Sequence, residues 1–422
     1  MSDVLAIVGG RVVDGFGQDP IERGIVVVQD GRLTDVGPES SVQIPRGAQV
    51  IDAAGHTVLP GIIDCHVHGT YRSRDVRRHL LNSPTYNVLR STQIIEETLA
   101  CGITSARDMG GADAGFRQAI DEGIIAGPRL QISIAMVSQT GGHGDFWVPA
   151  GMRIAKRTWL PDGVADGVDG VRRVVRQLLM AGADFIKICA TGGITSVTDS
   201  WDEPQFTVEE LRCAVEEAAA KRKPVAVHAE GIDGIRNALQ AGVHSLEHGW
   251  FIDEQCIDRM VAQGTWWVPT LALVPMSIEH RKKNTTWSQQ QLGEEEQKDD
   301  EIHRKMQTEQ FPIWREAVRR GVKIAMGTDQ SHRLLVGENM VELRFMVEYL
   351  GMSPMDVLVS ATTKAAECMG RSDIGALAPG RLGDVLVVDG DPLQDISVLE
   401  DRARLKLILK DGNAYTNRMA AG

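Results

Sequence analysis

Between residues 58 and 371 the chain alternates strand-like runs with helix-like segments, and this alternation limits the fold more than any other feature. The runs are Gly61–His68, Ile103–Asp108, Arg129–Ser138, Phe185–Thr191, Pro224–Ala229, Ser245–Gly249, Trp266–Leu273 and Lys323–Asp329. Between them lie helix-like stretches such as Thr92–Ala100, Val168–Ala181, Thr207–Lys221, Ile232–Ala241 and Met306–Arg320. Strands that alternate with helices pair in parallel. Eight such units over roughly 300 residues fit a closed, TIM-like (β/α)8 barrel in the α/β class. The competing arrangement, an open doubly wound sheet, is weakened because no GxGxxG follows the first strand.

The flanks read differently. Residues 1–57 contain the short runs Val4–Val8, Arg11–Val13, Gly24–Gln29, Arg32–Val36 and Gln49–Asp52, with a hairpin signal at Asp30-Gly31. Residues 372–422 repeat the style in Asp384–Asp389 and Leu405–Lys410, with a turn at Lys410-Asp411-Gly412. The two ends are expected to meet in one small β-sandwich domain, 1–57 plus 372–422, beside a barrel of 58–371.

A chain of 422 residues buries a large core without a structural metal, so a metal site here would serve chemistry. Acids outnumber bases 57 to 45 and no long basic run occurs, which makes nucleic acid and anionic membrane poor partners. The stretch Glu294 to Lys305 mixes both signs and reads as a solvated helix face. Cys65, Cys101, Cys189, Cys213, Cys256 and Cys368 form no CxxC pair, which argues against a disulfide framework or a zinc ribbon. The N-terminal run lacks a basic flank, and no apolar stretch reaches about 18 residues. Together these lead to the expectation of a cytoplasmic protein with a small-molecule or dipeptide substrate. Barrels of this size often oligomerise, and a homo-oligomer is expected, although no motif carries it.

Six residues stand at or near the C-terminal ends of the proposed barrel strands, where barrel enzymes place their reactive groups. They are His66 and His68 in Asp64-Cys65-His66-Val67-His68, Lys187, His228, His248 and Asp329. Residues two apart on a strand share a face, so His66 and His68 can grip one ion. Imidazole nitrogen and carboxylate oxygen suit zinc, with bonds of roughly 2.0–2.2 Å, and manganese and cobalt share such sites. Lys187 is out of place, because an ammonium repels metal ions and is costly inside an apolar strand. Carboxylation by CO2 resolves both problems by turning the cation into an anion with one oxygen for each of two metals. A Schiff-base lysine is the other chemistry open to Lys187. Any one of these residues alone would be an ordinary core or surface group; their order along the strand ends is what points to a metal site.

With these motifs the sequence resembles the amidohydrolase superfamily. The resemblance extends from the flanking β domain through Leu59-Pro60-Gly61-Ile62-Ile63-Asp64-Cys65-His66-Val67-His68 and Thr328-Asp329 to a closing motif, Ile374-Gly375-Ala376-Leu377-Ala378-Pro379-Gly380-Arg381-Leu382-Gly383-Asp384. It implies a binuclear centre. His66, His68 and Asp329 would hold one metal and His228 and His248 the other, with carboxylated Lys187 and a hydroxide between them. Asp329 would act as general base and then acid. Thr140-Gly141-Gly142-His143-Gly144-Asp145 and Thr191-Gly192-Gly193 resemble the imidazolonepropionase-related branch that holds prolidase-like dipeptidases and ochratoxin-type amidases. In that branch the histidine matching His143 contacts the substrate.

The reaction this implies is hydrolysis of an amide by a metal-bridging hydroxide, at the C-terminal bond of a dipeptide, Xaa-Pro first, or of an N-acyl amino acid. One departure is Glu230, where some prolidase-like relatives carry a tyrosine that helps hold the substrate carboxylate. An acid there either repels a carboxylate and favours a basic side chain, as in a carboxypeptidase for C-terminal Arg or Lys, or faces away from the substrate. Tyr71, Arg72 and His332 are further pocket candidates, and Arg72 suits a substrate carboxylate. His244 reads as structural, and Trp266 and Trp267 as core. Other readings are a cyclic amide, xenobiotic amide or urea hydrolase, and a scaffold on a dead barrel. The six filled ligand positions count against the last.

Overall fold

The computed structural model describes residues 4–70, 82–148, 152–153, 160–194, 196, 199–283, 289–331 and 333–419. Tyr71, Arg72 and His332 lie outside the described residues. Near the N-terminus, β-branched and alternating residues form β1 (Val4–Val12), β2 (Ile21–Gln29), β3 (Arg32–Pro38), β4 (Gln49–Asp52) and β5 (Thr57–Pro60). The expected pair Val4–Val8 and Arg11–Val13 is one strand, because irregular register around Gly10 absorbs the break without ending the pairing with β2.

The middle of the chain supplies β6 (Ile62–Val67), β7 (Ile103–Asp108), β8 (Arg129–Ile132), β9 (Met136–Val137), the hairpin strands β10 (Trp147–Val148) and β11 (Met152–Arg153), β12 (Ile186–Cys189), β13 (Val225–Ala229), β14 (Ser245–His248), β15 (Trp266–Val268) and β16 (Lys323–Ile324). The C-terminal part adds β17 (Val385–Val388), β18 (Leu405–Lys410) and β19 (Asn413–Asn417).

Strands from the two ends share one sheet. One eight-stranded sheet runs β19-β18-β17-β5-β1-β2-β3, with β4 also on β1. Its inward residues, among them Ile7, Val26, Val58, Val387 and Leu407, form an apolar core separate from that of the barrel. Only Gly61 separates β5 from β6. A Cβ there would stand 2.1 Å from Thr104 Oγ1, so the close crossing onto the neighbouring strand demands glycine.

The barrel strands pair in parallel in the order β6-β7-β8 and β9-β12-β13-β14-β15-β16. The ends of the barrel meet through Cys65 N to Met326 O at 2.9 Å, Asp329 N to His66 O at 2.7 Å and His68 N to Gln330 O at 2.9 Å. Chemistry-bearing residues on the first and eighth strands are thereby tied to one another by backbone bonds.

Three expected strands differ. Arg129–Ser138 is split into β8 and β9 because Ile134 takes a left-handed backbone (φ 72) while its side chain stays buried. The kink lets one stretch of chain pair first with β7 and then with β12. Trp266–Leu273 stops at Val268, since Pro269 has no N–H to continue the ladder, and a helix, Leu273–Lys283, begins instead. Lys323–Asp329 forms ladder pairs only at Lys323 and Ile324, and its remainder bends through Asp329 (φ 54) into the site.

The helices largely follow the apolar periodicity: Pro84–Ala100, Gly167–Met180, Val208–Ala219 and Ile232–Ala241. Val208–Ala219 begins with a capping box in which Thr207 and Glu210 satisfy each other's backbone N–H. Met306–Gln310 is a π-helical turn leading into the helix Phe311–Arg319. Of the stretch Glu294 to Lys305, Gln297, Lys298, Asp300, Glu301 and Arg304 are exposed, as expected of a solvated face, and Asp299 is the charged exception. Asp299, on the helix Gln289–Lys305, is fully buried and pairs with Arg281 and Arg333, which are also buried. The six cysteines are free thiols. No helix among the described residues is long and apolar enough to cross a membrane.

Candidate metal centre

The four histidines, Lys187 and Asp329 converge at the C-terminal mouth of the barrel. The His66 ring lies 5.7 Å from that of His68 and 5.0 Å from that of His248, and the His228 ring is 4.6 Å from that of His248. Asp329 Oδ1 stands 3.5 Å from His66 Nε2 and 3.3 Å from His68 Nε2. Its left-handed backbone turns the side chain back toward β6.

Each ring has one nitrogen engaged away from this cluster. His66 Nδ1 lies 2.9 Å from Glu247 Oε2, and His68 Nδ1 lies 2.9 Å from Gly110 O. His228 Nε2 meets Gly192 O at 2.9 Å, and His248 Nδ1 meets Thr270 Oγ1 at 2.8 Å. Nε2 of His66 and of His68 faces Asp329 on the cluster side. Ligating histidines in metal sites have their other ring nitrogen fixed in this manner.

The electrostatics favour neutral rings at His66, His228 and His248 and a protonated His68 beside the Asp329 carboxylate. Burial, helped by Lys187, holds His66 well below its ordinary pKa. Burial with the neighbouring histidines does the same for His228 and His248. Burial works against charge on His68, but the hydrogen bond that its ring donates to Asp329, with the charge of that carboxylate, wins and raises it. Burial would raise Asp329; His66, His68 and Lys187 outweigh it and lower the carboxyl. Burial lowers the Lys187 ammonium, and Lys187 Nζ is buried with no hydrogen-bond partner. An orphaned buried amine among four histidines and a carboxylate fits a side chain that becomes an anion when metals bind. The donor set therefore fits divalent ions. Among the described residues, two groups bring ligand atoms within 4.8 Å of one another: His66, His248 and Asp329, and His228, Glu230 and His248.

Glu230 thus enters the cluster in a way its sequence position did not show. It is buried, its Oε2 accepts from Ile194 N at 3.1 Å, and its Oε1 is 3.9 Å from His228 Nε2. Burial pushes its carboxyl well above the usual range, against the Ile194 amide and Arg333. His143 stacks on His228 at 4.2 Å and 13°, with Nδ1 2.7 Å from Ser196 Oγ. A Cβ at Gly193 would stand 2.3 Å from His143 Cε1, so that close approach requires glycine. Enclosure lowers the His143 imidazole to about 4, outweighing the pull of Asp199. His244 bonds Cys368 O at 2.9 Å, below the centre, and Trp266 and Trp267 are buried.

Several supporting residues escape a reading of the sequence. Glu247 accepts from Arg107 Nη2 at 2.9 Å and Ser245 Oγ at 2.6 Å, as well as from His66. Asp64 accepts from His66 N, Thr328 N, Thr328 Oγ1 and Asn339 Nδ2 at 3.1, 3.0, 2.7 and 2.9 Å. Burial still raises its carboxyl to about 6. Arg107 and Glu247 carried one weak signal, being long charged residues inside the strands Ile103–Asp108 and Ser245–His248.

The profile of the Amidohydrolase family matches residues 57–415. The chain is 32% identical over 435 residues to ochratoxinase of Aspergillus niger, covering 98% of this chain and 86% of that one. A prolidase complexed with N-methylphosphonate-L-proline superposes with TM-score 0.86 at 33% identity, covering 98% of this chain and 100% of the other. A Xaa-Pro dipeptidase with bound methionine in the active site gives TM-score 0.86 at 32% identity, again over 98% and 100% of the two chains.

Proposed function

This chain belongs to the amidohydrolase family, and on that premise we propose that it hydrolyses the amide bond before the C-terminal residue of a dipeptide or N-acyl amino acid, Xaa-Pro first. Two divalent ions, zinc before others, would be held by His66, His68, His228, His248, Asp329 and carboxylated Lys187. Such ions supply Lewis acidity toward the carbonyl and lower the pKa of water to about 7.

The observation that carries this reading is the buried, partnerless Lys187 Nζ among the four histidines and Asp329. As a free amine, its lone pair bonds to the carbon of CO2, one C=O electron pair moves onto oxygen, and the nitrogen proton leaves to solvent. The product is an anion with two oxygens. Asp329, wedged between His66 and His68, takes a proton from the attacking water on its carboxylate and returns it to the leaving nitrogen. His143 is steadied by Ser196 and by the His228 ring and has Nε2 left for the substrate.

The N-methylphosphonate-L-proline in the prolidase complex carries tetrahedral phosphorus on a proline nitrogen, where a tetrahedral carbon forms when an Xaa-Pro bond is attacked. This supports the choice of Xaa-Pro. A carboxypeptidase for C-terminal Arg or Lys ranks second: Glu230 is an acid at the site, but its Oε2 is already taken by the Ile194 amide. The test joins metal analysis with a dipeptide library varied at the C-terminal residue. About two ions per chain and preferential Xaa-Pro cleavage are expected. Absence of bound metal would overturn the mechanism, and preference for C-terminal Arg or Lys would install the second reading.

A further inference from the structure

His248 ends β14 with a left-handed backbone (φ 67), and Thr270, two residues beyond β15, is left-handed as well (φ 49). A β-branched residue in that region persists only where its surroundings hold it. Those surroundings are visible. Glu342, fully buried, accepts from the next two amides, Leu271 N at 2.8 Å and Ala272 N at 2.7 Å. The Trp250 indole N–H donates to Pro269 O at 2.9 Å, one residue upstream. The Trp267 indole N–H donates to His248 O at 2.7 Å, fixing the other partner. Inside this frame the buried Thr270 hydroxyl lies 2.8 Å from His248 Nδ1. Serine would keep that hydroxyl without a branched Cβ, so the turn is built around an orientation that costs strain.

We infer that Thr270 is a positioning residue: its hydroxyl, aimed by the turn that Glu342 and Trp250 close, fixes the His248 ring so that Nε2 faces His66, His228 and Asp329. The inference rests on the metal-dependent reading above and adds a selective effect, since His248 is expected to serve one of two ions more than the other.

The test is titration of the metal-free full chain with cobalt(II) alone, followed by visible absorption and chelator competition. Thr270→Val keeps the shape and removes the hydroxyl; Thr270→Ser keeps the hydroxyl. In Thr270→Val one of two binding steps is expected to weaken about ten- to hundredfold while the other holds, and Thr270→Ser should bind within about threefold of wild type. Thr270→Ala makes the same deletion if the valine variant does not fold. Unchanged binding in the deletion variant, equal weakening of both steps, or an equal loss in Thr270→Ser would each overturn the inference. A wild-type chain that binds no cobalt would instead overturn the metal-dependent reading on which it rests.

Discussion

The Glu247 carboxylate lies 2.9 Å from His66 Nδ1, while Asp329 faces the other nitrogen of the same ring at 3.5 Å. Arg107 pairs with the second Glu247 oxygen at 2.9 Å, and Arg107, Glu247 and His66 are all buried. The ring is therefore held from behind by an ion pair without access to water. Glu247→Gln keeps the shape but loses the charge, and a ten- to hundredfold weaker metal affinity is expected, read by chelator competition. Glu247→Leu strands a buried guanidinium, so urea denaturation should show a loss of about 3–5 kcal/mol. Affinity and stability that both stay at wild-type values would deny this arrangement any role.

Lys187 makes the opposite prediction for the metal-free protein. Its Nζ is buried without a partner, so Lys187→Met removes an unsatisfied polar group and should stabilise the apo chain by about 1–3 kcal/mol. The same change should abolish activity and lower the metal content. Native mass spectrometry of the wild type should show a gain of one CO2 that is lost on acidification. In Lys187→Ala, added acetate should restore part of the activity by placing a carboxylate in the vacated space. A Lys187→Met chain that still holds two ions would refute the bridging role.

How much of this was readable before the fold was known depends on the distance over which each feature acts. His66, His68, Lys187, His228 and His248 could be named as candidates because the barrel rule concerns strand ends and each sits on or just after its own strand, whereas Asp329 lies five residues past β16 and was reached through Thr328-Asp329. The junction of the two termini was legible because both flanks carry strand-like runs. Glu247 and Arg107 were not, because their partner strands lie about 140 positions apart in sequence. Ile134 has positive φ, a state that propensity assigns to glycine or asparagine, so the break inside Arg129–Ser138 was missed. Asp299 was misread because a mixed-charge helix looks solvated until Arg281 and Arg333 cover it.

Glu342 gives a pH dependence with a definite sign. Burial pushes its carboxyl up to about 8 from 4.5, against the two amide donors. Between these values the folded chain holds a proton that the unfolded chain releases, so stability falls as pH rises. The contribution is complete below about 4.5 and gone above about 8. Glu342→Gln cannot titrate, and it turns one amide N–H against a backbone donor, at a cost of about 1–3 kcal/mol. The stability difference between wild type and Glu342→Gln, measured by urea denaturation of metal-free protein, should therefore shrink as pH is raised through this window. Metal-free conditions are needed because ion binding is itself pH-dependent. A difference that stays flat would place the Glu342 carboxyl at its ordinary value.

Glu230 separates the two substrate readings. Its Oε2 accepts from Ile194 N, while Arg333 Nη2 reaches Ile194 O at 3.4 Å, so the side chain secures the loop after β12 at the edge of the metal cluster. Glutamine can keep the bond to Ile194 N, and alanine cannot. If Glu230 serves the loop, Glu230→Ala should lower kcat/KM by about tenfold across a whole dipeptide panel, from the loss of one buried hydrogen bond. Glu230→Gln should then leave the ranking of C-terminal residues unchanged. If Glu230 instead recognises a substrate cation, Glu230→Gln should selectively lose C-terminal Arg and Lys, by roughly 10²-fold, because a buried ion pair would be broken on one side only. The uniform outcome is expected, since the carboxylate already has a backbone partner and lies 3.9 Å from His228. A selective loss would move the substrate assignment from Xaa-Pro to basic C-terminal residues while leaving the hydrolytic centre as described.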